Sequence, residues 1–237
     1  MTSSQYQFHE LQIIHVFLWP LKVLWRAIYL YSLLCLFCVI AFLVGAAYLW
    51  SDGVATAEHI YRQTIDFSVG HASDLSMATL AGKSSELSYW LFFGLTHLHD
   101  ITTNLENQIL GAGVEQTIAQ AILRPWLGEL KVAALGVKMF GARIGTLVAG
   151  WPIVLLGYLC GIADGLVDRY IRSACAGRES SSLYHRAKYA QLGLSALGAM
   201  VFLCWPYYLD VRWLLFPLSF GLALLARIQW KYYKKYL

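Results

Sequence analysis

The sequence predicts an all-α integral membrane protein with four transmembrane helices and a helical domain outside the cytoplasm, between the first and second spans. Apolar residues make up 58% of the 237-residue chain and charged residues only 14%, whereas soluble domains average about 45–50% and about 25%. The mean hydropathy is +0.53. Most directly, several long segments carry no charge at all, and a membrane span needs roughly 20 such residues.

Four segments contain no Asp, Glu, Lys or Arg: residues 27–51, 144–163, 189–209 and 213–226. The first three are long enough to cross a bilayer. The fourth is shorter, but Arg212 and Arg227 at its ends can extend their alkyl stems along apolar surroundings. We therefore predict four spans, with a kink at Pro217 in the last because proline removes a backbone donor.

Basic residues predict the orientation, because Lys and Arg in short loops stay on the cytoplasmic side. They cluster before the first span, between the second and third, and after the fourth, whereas residues 52–143 hold nine acids and six bases. Both termini are thus predicted in the cytoplasm. The non-spanning parts are an amphipathic interfacial helix ended by Pro20 within residues 1–26, an outer domain at 52–143, a helical corner at 164–188 and a basic tail at 227–237.

The outer domain is predicted to be helical, since apolar residues such as Ile118, Ile122 and Trp126 recur at helical spacing. Gly53 is the expected start of a short helix. Ser85-Glu86 and Gly113 are the expected starts of two longer helices, the last broken or kinked by Pro125.

Motifs for catalysis or cofactor binding are weak, and the sequence predicts no enzyme, no cofactor and no metal. Lys83 follows Gly82 but lacks the earlier glycine of a phosphate-binding loop. His97 and His99 would diverge on a helix rather than share a metal. Ser180–Ser182 with His185 offer a nucleophile and a base without an orienting acid, and the serines suit a helix start.

The charged corner favours binding instead. Asp168 and Arg172 have the spacing of a helical ion pair, and Asp164, one turn deeper, is expected to pair with Arg186 or Lys188 because an ionisable group near the membrane is costly unless paired. The candidate docking residues are Asp164, Asp168, Arg169, Arg172, Arg178, Glu179, Tyr184, His185, Arg186 and Lys188.

Small residues recur every fourth position along the second span. This spacing lets helix backbones approach closely in lipid, and it predicts a packing face for span three or for another protein. The glycines concerned are Gly141, Gly145, Gly157, Gly161 and Gly165.

The stretch GLVDRYIRSACAGRESSSLYHRAKY, residues Gly165–Tyr189, resembles the signature of the integrating conjugative element membrane proteins. This bacterial family carries a domain of unknown function and occurs among conjugation genes, commonly near the coupling ATPase. The resemblance implies an inner-membrane component of a conjugative type IV secretion system with a periplasmic outer domain. It also implies the coupling ATPase and other secretion membrane components as partners.

The leading hypothesis is a scaffold or adaptor that recruits or tethers the coupling ATPase, and an oligomer is left open. The alternatives are a surface-exclusion factor acting through the outer domain and an intramembrane enzyme using Ser180–Ser182 and His185. The basic tail suits anionic membrane lipid. Scattered bases make no stripe for reading nucleic acid, so direct DNA contact is not expected.

Overall fold

A computed structural model describes residues 3–70, 76–100, 103, 126–175 and 181–233, with side chains for 19–66, 79–100, 103, 126–175 and 182–233. Within these residues all regular structure is helical, which confirms the predicted all-α class. The long helices are α1 (Ser3–Val44), α2 (Gly53–Gly70), α3 (Ser76–Tyr89), α4 (Leu127–Ala174), α5 (Ser181–Cys204) and α6 (Val211–Lys231), with π-helical turns at Gly45–Leu49 and Trp90–Gly94.

The chain divides into two units, residues 1–37 and 38–237. Four helical segments of the described chain are long and apolar enough to cross a membrane: Trp19–Leu49, Leu127–Ala174, Ser182–Cys204 and Val211–Lys231. Each of them overlaps one of the four segments predicted as spans, with different bounds. The charge-free part of the fourth segment is short, but the helix that contains it is 21 residues long, because α6 continues through Pro217 and past Arg227.

The prediction that an N-terminal helix ends at Pro20 is wrong. Helix α1 runs from Ser3 to Val44 with Pro20 inside it. Proline removes one backbone hydrogen bond, but a chain in apolar surroundings must satisfy its remaining backbone groups within the segment, so a helix that continues through proline is tolerated there.

Helix α4 is the longest element of the described chain. Its 48 residues correspond to about 72 Å at 1.5 Å per residue, more than twice the roughly 30 Å of a bilayer's hydrocarbon. The predicted span 144–163 is therefore the middle of a longer rod. The rod begins at Leu127, two residues after Pro125, whereas the expected helix start at Gly113 lies outside the described residues.

The other helices of the second unit pack mainly around α4. Helices α2 and α3 contact it, α6 packs extensively along it, and α5 packs on α6 with only slight contact to α4. The cluster of buried side chains shared by α4, α5 and α6 contains Val154, Phe202, Val211, Leu215 and Leu222.

Helix starts were only partly predictable. Helix α2 begins at Gly53 as expected, and the Asp52 carboxylate accepts a hydrogen bond of 3.1 Å from the Ala55 N–H. The expected start at Ser85-Glu86 is wrong, because Ser85 lies inside α3 and is buried. Ser84, Ser85 and Ser88 pack against α4 from within α3 instead of capping a helix.

Candidate functional site

The glycines of α4 face two different helices. A methyl group added at Gly141 would lie 2.7 Å from the Ser85 Cα, and one added at Gly145 would lie 2.7 Å from the Ala81 Cα, both in α3. The Ser84 hydroxyl also donates a hydrogen bond of 2.7 Å to the Gly141 carbonyl. This first glycine pair therefore lets α3 and α4 approach backbone to backbone.

The second group of glycines faces α6. Added methyl groups at Gly157, Gly161 and Gly165 would collide with Ser219, Ala223 and Arg227 respectively. The Ser219 hydroxyl donates to the Ile153 carbonyl at 3.1 Å, which links the same two helices. Span three, one of the partners considered from the sequence, is not the helix that these glycines meet.

One end of α4 and α6 carries an ion-pair cluster. Arg227 Nε lies 3.1 Å from Asp164 Oδ2 and 3.0 Å from Asp168 Oδ2, and Lys231 Nζ lies 3.2 Å from Asp168 Oδ2. The expected partners of Asp164, namely Arg186 and Lys188, are wrong. The acids meet α6 rather than α5 because the glycine face brings α4 and α6 together along this length.

Basic and aromatic side chains surround that cluster. The Arg172 guanidinium lies 4.7 Å from the centre of the Tyr232 ring, and that of Arg169 lies 5.6 Å from the Tyr233 ring. Tyr184, at the start of α5, contacts Tyr233 at 5.7 Å between ring centres. The expected Asp168–Arg172 pair is wrong, because Asp168 is taken up by the two bases of α6.

The structure thus brings together most of the predicted docking residues at one end of the molecule, here named the corner surface: Arg169, Arg172, Tyr184, His185, Arg186 and Lys188. Arg178 and Glu179 lie outside the described residues. His185 contacts the Tyr184 ring at 5.2 Å. Because Asp164 and Asp168 are neutralised by α6, the described part of the corner surface presents bases and aromatic rings.

At the other end of the bundle, Arg143 is a buried residue that the sequence interpretation missed. Its guanidinium donates to the carbonyls of Leu203 at 3.0 Å, Trp205 at 2.6 Å and Tyr207 at 2.7 Å. It also lies within 6 Å of the Phe42 and Phe202 ring centres. The signal available was a lone arginine between Gly141 and Gly145 in an otherwise apolar run.

His97 and His99 do not converge on one site. His97 has a left-handed φ of 55°, so the helix assumed for this pair is interrupted there. His97 Nδ1 lies 3.1 Å from Asp100 Oδ2, whereas His99 Nδ1 lies 2.8 Å from Tyr89 Oη. Burial raises the pKa of Tyr89. Among the described residues no group of His, Cys, Asp and Glu could hold a metal.

Comparison with known proteins gives one family. The model described as "IncC plasmid conjugative DNA transfer protein DtrJ-like" matches residues 57–234, about three quarters of the chain. No curated protein and no solved structure matches the chain. The family match agrees with the resemblance to conjugative element membrane proteins, and it spans most of α2, all of α3 to α6 and the corner surface. The chain therefore belongs to the DtrJ-like family of conjugative DNA transfer proteins.

Proposed function

We propose that this protein is an inner-membrane scaffold or adaptor of a conjugative type IV secretion system, which recruits or tethers the coupling ATPase. The family supports a role in conjugative DNA transfer, and four apolar helices support a multi-pass membrane protein. The role as an adaptor, its partner and its membrane are our inference, and we infer that the protein acts by binding rather than by catalysis.

The orientation in this proposal follows the basic residues. The corner surface and the basic end of α6 lie at the same end of the bundle, since Tyr184 and Arg169 both contact Tyr233. Lys and Arg favour the cytoplasmic side of short loops. That end therefore faces the cytoplasm in our proposal, where a soluble ATPase domain can reach it, and the outer domain is periplasmic.

The single observation that carries the proposal is that the acids at this end form ion pairs with α6, while bases in the described part of the corner surface do not. Asp164 and Asp168 are held by Arg227 and Lys231, which leaves Arg169 and Arg186 of the corner surface without an ion pair to the described residues. A basic surface of this kind complements an acidic face on a partner and guides its approach.

Charge reversal tests the proposal. We expect the double variant Arg169→Glu, Arg186→Glu to lower co-purification with the coupling ATPase by about tenfold or more, because like charges across an interface cost several kcal/mol. DNA transfer should fall with it. The matched control, Arg62→Glu with Lys83→Glu, makes the same change in net charge within residues 52–143, where both side chains are exposed, and among the described residues it breaks only the exposed Glu58–Arg62 pair, which contributes little to stability.

Membrane insertion and yield should be equal for the two double variants. Normal co-purification and transfer by the corner variant would remove the corner surface as the docking site. Equal loss in both variants would mean that net charge alone matters, which also contradicts the proposal.

A further inference from the structure

A cleft of about 470 Å³ lies between α4 and α5. It exists because α5 packs on α6 and only slightly on α4, so the two helices leave a gap with Leu222 of α6 at its base. Its volume falls in the range of small-molecule sites rather than surface irregularities. The lining residues are Trp151, Val154, Leu155, Tyr158, Lys188, Tyr189, Gln191, Leu192, Ser195 and Leu222.

The chemistry of the cleft changes with depth along α5. Lys188, Gln191, Leu192 and Ser195 follow one another at the spacing of a single helix face. Lys188 is exposed and stands in the first turns of the helix. Gln191 lies about 4.5 Å further along the axis, and beyond it the walls are mostly apolar.

Gln191 carries an unmet hydrogen-bonding group. Its side-chain amide nitrogen is buried and has no hydrogen-bond partner within the described part of the chain. An unsatisfied buried donor costs about 1–3 kcal/mol, so buried donors in proteins nearly always have an acceptor. Gln191 also lines the cleft, so a rotation of its amide group about the last side-chain torsion presents this donor to an occupant that brings an oxygen to the same depth.

We propose that this cleft binds an anionic phospholipid. Its phosphate is bound by the Lys188 ammonium, an ester carbonyl accepts a hydrogen bond from the Gln191 amide, and one acyl chain lies against Trp151, Leu155 and Leu192. A phospholipid presents charge, ester oxygen and hydrocarbon in this order with depth, and the order is the same in either leaflet. The proposal thus depends on membrane embedding and not on the coupling ATPase.

A transmembrane helix of a partner fits the cleft less well. Close helix pairs in lipid use small residues, and the glycines of the two predicted packing groups in α4 already face α3 and α6. The cleft is lined instead by large side chains, and Trp151 and Leu192 are 60% and 69% exposed. Such walls leave room for a flexible chain that adapts to them.

Native mass spectrometry of the full-length protein, titrated in mild detergent with phosphatidylglycerol or phosphatidylcholine, tests the two polar contacts separately. Wild type should prefer phosphatidylglycerol. Lys188→Ala should lose about fivefold in phosphatidylglycerol affinity, the contribution of one basic residue near anionic lipid, and should lose the preference. Gln191→Leu should weaken both lipids, because both carry the ester, and keep the preference.

Arg186→Ala is the matched control, since it removes one positive charge two residues from Lys188 at a side chain that does not line the cleft. It should bind phosphatidylglycerol as wild type does, within about twofold. Equal affinity of wild type for the two lipids, or unchanged binding by both cleft variants, would overturn the proposal.

The identity of the occupant is tested by placing a benzophenone side chain at position 192 and irradiating the protein in detergent after bulk lipid has been removed. A lipid adduct at position 192, with none from the same group at exposed Leu197, is the expected result. An adduct with a second polypeptide would assign the cleft to a protein partner and overturn the lipid proposal.

Discussion

At the scale of the residue, Arg143 supplies donors that the end of α5 lacks. The last carbonyls of a helix have no partner within it, and water cannot replace that partner in a membrane. The guanidinium donates hydrogen bonds to the Leu203 carbonyl and to two carbonyls of the following turn. A buried cation is costly in itself, and these contacts together with the neighbouring rings offset that cost.

We expect Arg143→Met to lower the free energy of unfolding by about 3 kcal/mol, because it removes charge-assisted hydrogen bonds and leaves carbonyls unpaired. Arg143→Lys should recover part of this loss, since an ammonium lacks the planar fork that reaches several carbonyls. Denaturation with sodium dodecyl sulfate in mixed micelles measures both. Arg212→Met, at an exposed arginine of the same turn region, should cost much less, and equal losses would contradict the assigned role.

The ion-pair cluster gives a second prediction at this scale. Asp168→Asn and Arg227→Gln should each lower the free energy of unfolding by weakening the contact at the end of α6. The double variant should lose less free energy than the sum of the two single losses, because Arg227 Nε and Asp168 Oδ2 are 3.0 Å apart. The non-additivity should shrink as salt rises from 0.1 to 1 M, since the screening length falls from about 10 to about 3 Å. Removal of the Glu58–Arg62 ion pair, which lies within the single helix α2, is the control. It should leave the α4–α6 contact unchanged.

These contacts mark the limit of what residue patterns could predict. The charges of the corner were identifiable from the sequence, but their partners were not. Spacing along one helix favoured an ion pair of Asp168 with Arg172. In the structure Asp168 pairs with Arg227 and Lys231, which lie 59 and 63 positions away in the sequence. The spacing of residues along one helix can be determined from the sequence, whereas the packing of α6 against α4 cannot. Arg143 was missed for the same reason, since its acceptors lie at least 60 positions away, at the end of α5 and in the turn after it.

At the scale of the element, charge-free length was the most predictive property. It located the four helices that are long and apolar enough to cross a membrane, because few residue types are tolerated in hydrocarbon. Helix ends were harder to predict. Proline and serine each occur in two structural roles: Pro20 and Pro217 lie inside helices, and Ser84 packs closely against α4 rather than capping a helix. Glycine spacing predicted close packing, but the choice between α5 and α6 needed the fold.

Substitution of glycine separates these faces. We expect Gly161→Ala to destabilise the protein by about 1–3 kcal/mol, because the added carbon meets the backbone of Ala223 and the two helices must move apart. Gly193→Ala in α5, where nothing lies within 4 Å of the added carbon, should be neutral or stabilising by up to about 1 kcal/mol through helix propensity. Denaturation in mixed micelles compares the pair, and equal effects would show that the α4–α6 contact is not close.

At the scale of the whole molecule, the second unit has two ends, and a different set of side chains meets at each. Arg143, Phe42, Trp50 and the turn after α5 meet at one end. The ion pairs, the start of α5 and the end of α6 meet at the other. A four-span topology requires this sorting, because alternate helix ends must return to the same side. It does not fix which end faces the cytoplasm, and that choice rests on the basic residues.

Thiol labelling in intact cells tests that choice with a native residue. Cys175 is exposed at the end of α4, so a reagent that cannot cross the inner membrane should leave it unmodified until the cells are lysed, because our proposal places the corner surface in the cytoplasm. Cys175→Ser should abolish the signal after lysis. Glu58→Cys in the Cys175→Ser background, at an exposed position of the outer domain, should be labelled without lysis. Labelling of Cys175 in intact cells, with Glu58→Cys protected, would invert the topology. The corner surface would then face away from any cytoplasmic ATPase, while the lipid cleft would simply open to the other leaflet.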